Sequence, residues 1–361
     1  MHIPDGYLGP STCVALYGGA APFWWISLRR MKRALHTRMV PLLSLFSAFS
    51  FIVMMFNLPL PGGTTGHAVG AGIAAIVLGP WASILAISIA LAIQAVFFGD
   101  GGITALGANC FNMAVVGSLV SYGIYRAISG RAAISSHRRV VAAGIAGYVA
   151  INVSALIAAV EFGIQPALYH DAAGAPLYAP YPLHIAIPAM MIGHLTIAGL
   201  AEMVVSAGVV AYLQGAEPAL LRTTAPGALP DGTASTARGF NAMKPLWVAL
   251  AVLMILTPLG ILAAGSAWGE WAPGDFADRA TRQQIAATSQ HSAPPVTAPA
   301  GLERLSSFWT APMPRYAPSF LHNESFGYLL SAISGTGLII LICMGAGRFA
   351  GRWSAGRQPG S

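Results

Sequence analysis

The chain has 361 residues, of which 55% are hydrophobic and only 9% are charged. Ordinary soluble domains carry roughly 25% charged residues, so this composition excludes a soluble enzyme, a disordered chain and a nucleic-acid-binding domain. A formal net charge of +7 would suggest nucleic acid in a soluble protein, but here it reads as basic loops on one face of a bilayer. The class that remains is an all-α polytopic membrane protein.

A helix that crosses a bilayer takes about 20 mostly apolar residues. Nine such segments are predicted, near residues 11–28, 40–58, 68–79, 81–98, 105–125, 140–160, 184–213, 245–265 and 327–346. The third is short and is broken from the fourth by Gly79-Pro80, so it is expected to be tilted or to begin partway into the membrane. The seventh is long enough to tilt strongly or to extend beyond the lipid. Fifteen of the nineteen Lys and Arg residues fall on one side of this arrangement, leaving Arg279, Arg282, Arg304 and Arg315 on the other. The excess marks the cytoplasmic face, with the N-terminus outside and the C-terminus in the cytoplasm. The opening residues Met1-His2-Ile3-Pro4-Asp5-Gly6 lack the basic region followed by an apolar run that a cleaved signal peptide requires.

One composition shift divides the chain. Residues 1–214 form a seven-span unit, and residues 215–244 are a Gly/Ala/Thr/Pro-rich cytoplasmic linker. Residues 245–361 form a two-span hairpin around an external loop, 266–326. The Ser/Ala/Pro/Thr-rich middle of that loop, Ser289 to Ala300, is expected to be flexible.

Chemistry is sparse. Cys13, Cys110 and Cys343 are far apart, in or beside apolar runs, and suit small buried side chains. The only lysines, Lys32 and Lys244, are followed by Arg33 and Pro245, so no phosphate-binding loop for ATP can be built. Glu202 is the one acid well inside a span, where a charge costs roughly 2.5–3.5 kcal/mol. It either packs against neighbouring polar groups or a partner subunit, or is paired near the cytoplasmic half. Ser118 with His194 gives a thin Ser/His pair for an intramembrane hydrolase, a distant alternative.

The N-terminus and the segment Asn57-Leu58-Pro59-Leu60-Pro61-Gly62-Gly63-Thr64-Thr65-Gly66-His67 share the external side, so they can meet. A bulky His2 disfavours removal of Met1. The Met1 amine, the His2 amide nitrogen once deprotonated and the His2 imidazole can then form fused chelate rings, which His67 would complete to a plane. Four nitrogens in a plane suit Ni(II) or Cu(II), whereas zinc favours a tetrahedron. The residues by themselves leave this beside a blander reading, with His2 incidental and His67 hydrogen-bonded in a Gly-rich turn.

Met1 to Gly6, the Asn57–His67 segment and Phe98-Gly99-Asp100-Gly101-Gly102-Ile103-Thr104-Ala105-Leu106-Gly107-Ala108-Asn109, continuing into Phe111-Asn112-Met113, together resemble the CbiM/NikM family. These are substrate-capturing membrane components of energy-coupling-factor (ECF) transporters for cobalt and nickel, and the resemblance covers about the first 215 residues. It implies a metal site of Met1, His2 and His67 that holds transported Ni2+ or Co2+, with no permanent cofactor. Asn57, Thr65, Asp100, Asn109 and Asn112 would support it, Asn109 and Asn112 by hydrogen-bonding the ligating groups; Thr65 stands where the family often has Ser. The implied partners are a membrane coupling subunit of the CbiQ/NikQ type and an ATPase of the CbiO/NikO type, in the cytoplasmic membrane of a bacterium, with no nucleic acid. The chain itself would be a transporter subunit and not an enzyme. Cobalt supply for cobalamin synthesis stands as the alternative to nickel import. The C-terminal hairpin, with Trp268-Gly269-Glu270-Trp271, is similar to the two-span N component of such systems. His184 and His194 are possible extra ligands, more ordinarily core histidines.

Overall fold

The computed structural model describes residues 1–31, 39–61, 63–225, 227–229, 240–263, 265–318 and 320–355. The elements nearest the N-terminus are α1 (Pro10–Met31) and α2 (Met39–Met54). A small antiparallel hairpin follows, β1 (Leu58–Leu60) with β2 (Thr64–Gly66), in the register Leu58 to Gly66 and Leu60 to Thr64. Next come α3 (Ala71–Leu78) and α4 (Pro80–Phe98). Leu106–Asn109, a π-helical stretch Cys110–Val116 and Gly117–Ser129 run together as α5. The bundle continues with α6 (His137–Gly163) and α7 (Leu183–Ala216). The C-terminal part holds α8 (Met243–Leu262), the short loop helices α9 (Arg279–Thr288) and α10 (Ala300–Leu305), and finally α11 (Glu324–Ala355).

Among the described residues, five helices are long and apolar enough to cross a membrane: α4, His137–Leu168, α7, α8 and Glu324–Arg348. Large apolar side chains such as Val204, Ile255 and Leu341 stand exposed along them, as lipid-facing surfaces require. The third expected segment forms only the eight-residue α3. At 1.5 Å per residue it is about 12 Å long, well short of the roughly 30 Å hydrocarbon core. It is buried along its whole length, because α4, α5, α6 and α7 enclose it. Gly72 permits that enclosure: a Cβ there would meet Ser206 Oγ at 2.7 Å and Gly147 Cα at 3.1 Å. Small residues let backbones approach where lipid gives no hydrophobic drive between helices.

Glu202 explains why so short a helix is stable. Gly70, the residue before α3, adopts φ +74° and offers no capping side chain. The Glu202 carboxylate of α7 fills the role, accepting from Val69 N at 2.7 Å, Gly70 N at 3.0 Å and Gly72 N at 3.3 Å. Hydrogen bonds to a charged group contribute about 1.5–3 kcal/mol each, so three of them offset the membrane cost of the charge, and the positive end of the helix adds to this. Neither a cation partner nor a partner subunit is needed to account for it.

The C-terminal helices α8 and α11 pack on α2, and the loop between them lies over the end of the bundle that holds the N-terminus. Ser289 to Pro299 lacks regular structure before α10 begins at Ala300, and side chains from α9 and the bundle bond to its carbonyls. Arg282 donates to Pro294 O at 3.1 Å and to Pro295 O, and Tyr181 Oη donates to Ser292 O at 3.0 Å. Prolines fix the backbone locally, and these hydrogen bonds tie down a stretch whose composition suggested flexibility.

Candidate metal centre

The first nine residues are inserted into the bundle as a plug. Met1, His2 and Ile3 are almost wholly buried, at 4%, 1% and 0% exposure. The receptor is the Gly99–Asn109 loop between α4 and α5. Asn109 grips Ile3 from both sides: its Oδ1 accepts from Ile3 N at 2.8 Å and its Nδ2 donates to Ile3 O at 3.1 Å. Gly102 N also donates to Ile3 O, at 2.8 Å. Asp5 accepts from Ile103 N at 3.1 Å, from Thr104 N at 2.7 Å and from the Thr104 hydroxyl. The glycines here are steric necessities, since a Cβ on Gly102 would lie 2.4 Å from Asp5 N. The matching Asp and Gly residues of the two motifs are thus the two sides of one interface.

That interface presents His2 to His67. The β1–β2 hairpin ends at Gly66, so His67 follows it directly, and the two imidazole centroids are 4.9 Å apart. His67 Nδ1 faces Ala68 O at 3.1 Å. Burial, reinforced by the nearby Met1 ammonium, holds His67 well below the usual imidazole range, which keeps it neutral and suited to binding a cation. His2 Nδ1 lies 2.6 Å from Asp100 Oδ1, and its Nε2 is buried without a protein partner. Burial alone would raise the Asp100 carboxyl; the facing His2 charge and hydrogen bonds from His2 and Tyr316 outweigh it and hold it below the usual carboxylate range. Among the described residues no three His, Cys, Asp or Glu side chains form a metal-binding group. The donors brought together are two imidazoles with the main-chain nitrogens of Met1 and His2.

The supporting residues expected from the sequence divide. Asp100 and Asn109 touch His2 and its neighbour Ile3. Asn57 and Thr65 line, with His67 and Asp100, a cavity of about 570 Å3. Asn112 does not reach the ligating groups: it lies deeper, donating to Glu161 Oε2 at 2.7 Å, because the π-helical stretch of α5 turns it toward α6. His184 is exposed, and its carbonyl accepts from Gln290 Nε2 at 2.9 Å. The hydrolase pair also dissolves, since Ser118 shares a 2.8 Å hydrogen bond with Ser83 and His194 Nδ1 donates to Met190 O at 2.8 Å.

Several residues of the site carried no local signal. Glu270 Oε1 lies 3.5 Å from the Met1 amine; burial raises its carboxyl above the usual range, and the ammonium partly counters this. Tyr316 Oη donates to Asp100 Oδ2, and Gln94 Nε2 donates to the same oxygen at 3.2 Å. Tyr7 Oη donates to Trp271 O at 2.7 Å and accepts from Trp271 N at 3.0 Å. Thr65 bridges to Ala267, and Gln284 of α9 donates to Gly63 O. All but Gln94, Tyr7 and the hairpin residues come from the C-terminal loop, which therefore holds both halves of the site at once.

With this geometry in view, the likenesses to known proteins are coherent. Residues 2–220 match the family described as a cobalt uptake substrate-specific transmembrane region, and residues 244–352 match the PDGLE domain. The chain is 53% identical over 360 residues to the fused nickel transport protein NikMN of Rhodobacter capsulatus, covering all of both chains. It is 41% identical over 348 residues to the probable fused nickel transport protein LarMN of Lactiplantibacillus plantarum, covering 96% of this chain and 97% of that one. A crystal structure of a truncated transition metal transporter matches with TM-score 0.55 and 49% identity, covering 59% of this chain and 98% of that chain. The molecule is a multi-pass membrane transport protein, not an enzyme. It belongs to the CbiM family and carries a fused PDGLE domain at its C-terminal end. The segment Pro299-Ala300-Gly301-Leu302-Glu303 differs from the five letters of that domain's name at one position. It forms the start of α10, where Gly301 N donates to Leu177 O at 2.7 Å and Leu302 packs so tightly on Gly6 that a Cβ there would come within 2.7 Å.

Proposed function

We propose that this chain is the substrate-capturing subunit of an ATP-driven ECF importer for Ni2+, with the ion held by the Met1 amine, the His2 amide and imidazole, and His67. The observation that carries this reading is the meeting of the buried Met1-His2 terminus with His67, a neutral imidazole, under the C-terminal loop. The fused rings close through His2 Nδ1. The His2 ring therefore turns about Cβ–Cγ when the ion seats, exchanging its contact with Asp100 for the metal. Binding releases protons from the amine and the amide. Four nitrogens in a plane favour Ni2+, and the names of the fused relatives agree; Co2+ import for cobalamin synthesis is the second reading, favoured by the description of the family.

Energy comes from elsewhere, since the chain has no lysine in a phosphate-binding loop. A coupling subunit of the CbiQ/NikQ type and an ATPase of the CbiO/NikO type would reorient this subunit in the cytoplasmic membrane and release the ion inward. The distribution of Lys and Arg supports an external N-terminus and a cytoplasmic C-terminus. The test is uptake of radiolabelled Ni2+ and Co2+ in cells that carry the partner subunits. Native chain is expected to accumulate the ion, whereas His2→Ala, His67→Ala and a chain with one residue added before Met1 lose uptake. Normal uptake by the extended chain would sink the chelate, and uptake without the ATPase would sink the coupling assignment.

A further inference from the structure

A second nitrogen donor faces the site from α7. His194 opens a π-helical turn, His194–Ala198, a geometry that recurs at functional positions. Its Nδ1 lies 2.8 Å from Met190 O. A carbonyl can only accept, so Nδ1 carries the proton and Nε2 carries the lone pair. The ring is 4% exposed, and Nε2 is buried with no protein partner. A buried acceptor of this kind is normally satisfied by something. Ligating histidines characteristically give the other ring N–H to a carbonyl, which fixes the tautomer and the ring orientation; His194 is already arranged that way.

The space beside His194 is a cavity of about 160 Å3 lined by Met1, Met190, Thr65 and Trp268 among others. It runs from exposed Pro61, Ile192 and Ala287 at the rim to buried Met1 and His194 within. It is separate from the cavity under the loop, although Thr65 borders both. Met1 is thus common to this cavity and to the main site. Imidazole suits Ni2+ and thioether sulfur is a soft donor, whereas Mg2+ and Ca2+ take oxygen.

We propose that His194 Nε2, with Met190 and Met1 of the same cavity lining, forms a staging site that strips water from an incoming Ni2+ or Co2+ and passes it to the Met1 amine. This inference rests on Met1, His2 and His67 being the final site. Each exchange replaces a bound water by a protein donor, so the ion never has to shed its hydration shell in one step. The soft donors also discriminate against Mg2+ and Ca2+ before the ion reaches the chelate.

The experiment is stopped-flow loading of the purified full chain in detergent with Ni2+, following the absorption of the planar complex, in native protein, His194→Ala and His194→Gln. Both variants are expected to load about tenfold slower or more, the scale at which loss of a metal-site partner is felt. X-ray absorption of Co2+ bound to His67→Ala is expected to report a sulfur neighbour and one imidazole more than in His67→Ala/His194→Ala, where only the His2 ring remains. Native loading rates in both variants would mean that Nε2 holds only water, and would overturn the proposal. So would slowing in His194→Ala with a native rate in His194→Gln, since side-chain volume alone would then be responsible. A planar Ni2+ spectrum that survives in His67→Ala would instead overturn the assignment of the final site.

Discussion

At the scale of single residues, the site is built from side chains that read main-chain atoms. Asn109 matters because one planar amide satisfies both the N–H and the carbonyl of Ile3, fixing the residue next to His2. Asn109→Ala removes both bonds from a buried segment. Ni2+ affinity of the purified chain is expected to fall about 10- to 100-fold, as for other groups that orient metal ligands, with a modest drop in melting temperature from the orphaned Ile3 N–H; isothermal titration and a thermal scan measure the two. The meeting of His2 with His67, at a centroid separation of 4.9 Å, was anticipated because both segments were expected on one side of the membrane and both carry motifs that resemble one family. Glu270, Tyr316 and Gln94 were not, since Tyr316 lies 216 residues from the Asp100 it contacts and nothing nearby in the chain announces the pairing. Asn112 stood in the right motif and still faced elsewhere, because a π-helical turn shifts the direction of each following side chain.

At the scale of elements, α3 is the least autonomous part of the fold. Eight residues cannot form a stable helix unaided, and its first turn depends on the Glu202 carboxylate from α7. Glu202→Ala leaves up to three buried N–H groups without an acceptor and is expected to destabilise the protein by about 3 kcal/mol. Glu202→Gln, which keeps an acceptor oxygen, should recover part of this. Thermal unfolding in detergent distinguishes the two, and equal loss in both variants would show that charge rather than capping matters. Because Val69 and Gly70 sit just beyond His67, the same cap steadies the backbone that carries this imidazole. The sequence revealed a deep acid and a break at Gly79-Pro80; it could not say that the acid of one helix serves the start of another.

At the scale of the whole molecule, the C-terminal unit is a lid with its own anchors. Trp268 and Trp271 pack edge-to-face on each other, and the pair meets Phe162 and Tyr181 at centroid separations of 6.0–6.1 Å, while Tyr7 joins them through Phe162 and its hydrogen bonds to Trp271. Trp309 donates to Val96 O at 2.8 Å, and Met313 N to Phe97 O at 2.9 Å, so the lid also fastens the end of α4. A chain ending at residue 225 loses Glu270, Trp271 and Tyr316 together. It is expected to insert in the membrane but to bind Ni2+ at least tenfold more weakly, and co-expression of residues 240–361 as a separate chain should restore binding. Full affinity in the shortened chain, measured by titration, would make the lid dispensable.

Sequence by itself determined the membrane class and the approximate placing of the apolar helices, because hydropathy and charge placement are sums over neighbouring residues, and it singled out Met1, His2 and His67 as candidates. It also determined the two Gly-rich motifs, although not that one is the socket of the other. Only the tertiary structure decided what Glu202, Glu270, Asn112 and His194 touch, and that the C-terminal loop closes over the N-terminus. The physical reason is that a buried polar atom takes the best partner within about 3 Å, and folding brings that partner from any distance along the chain.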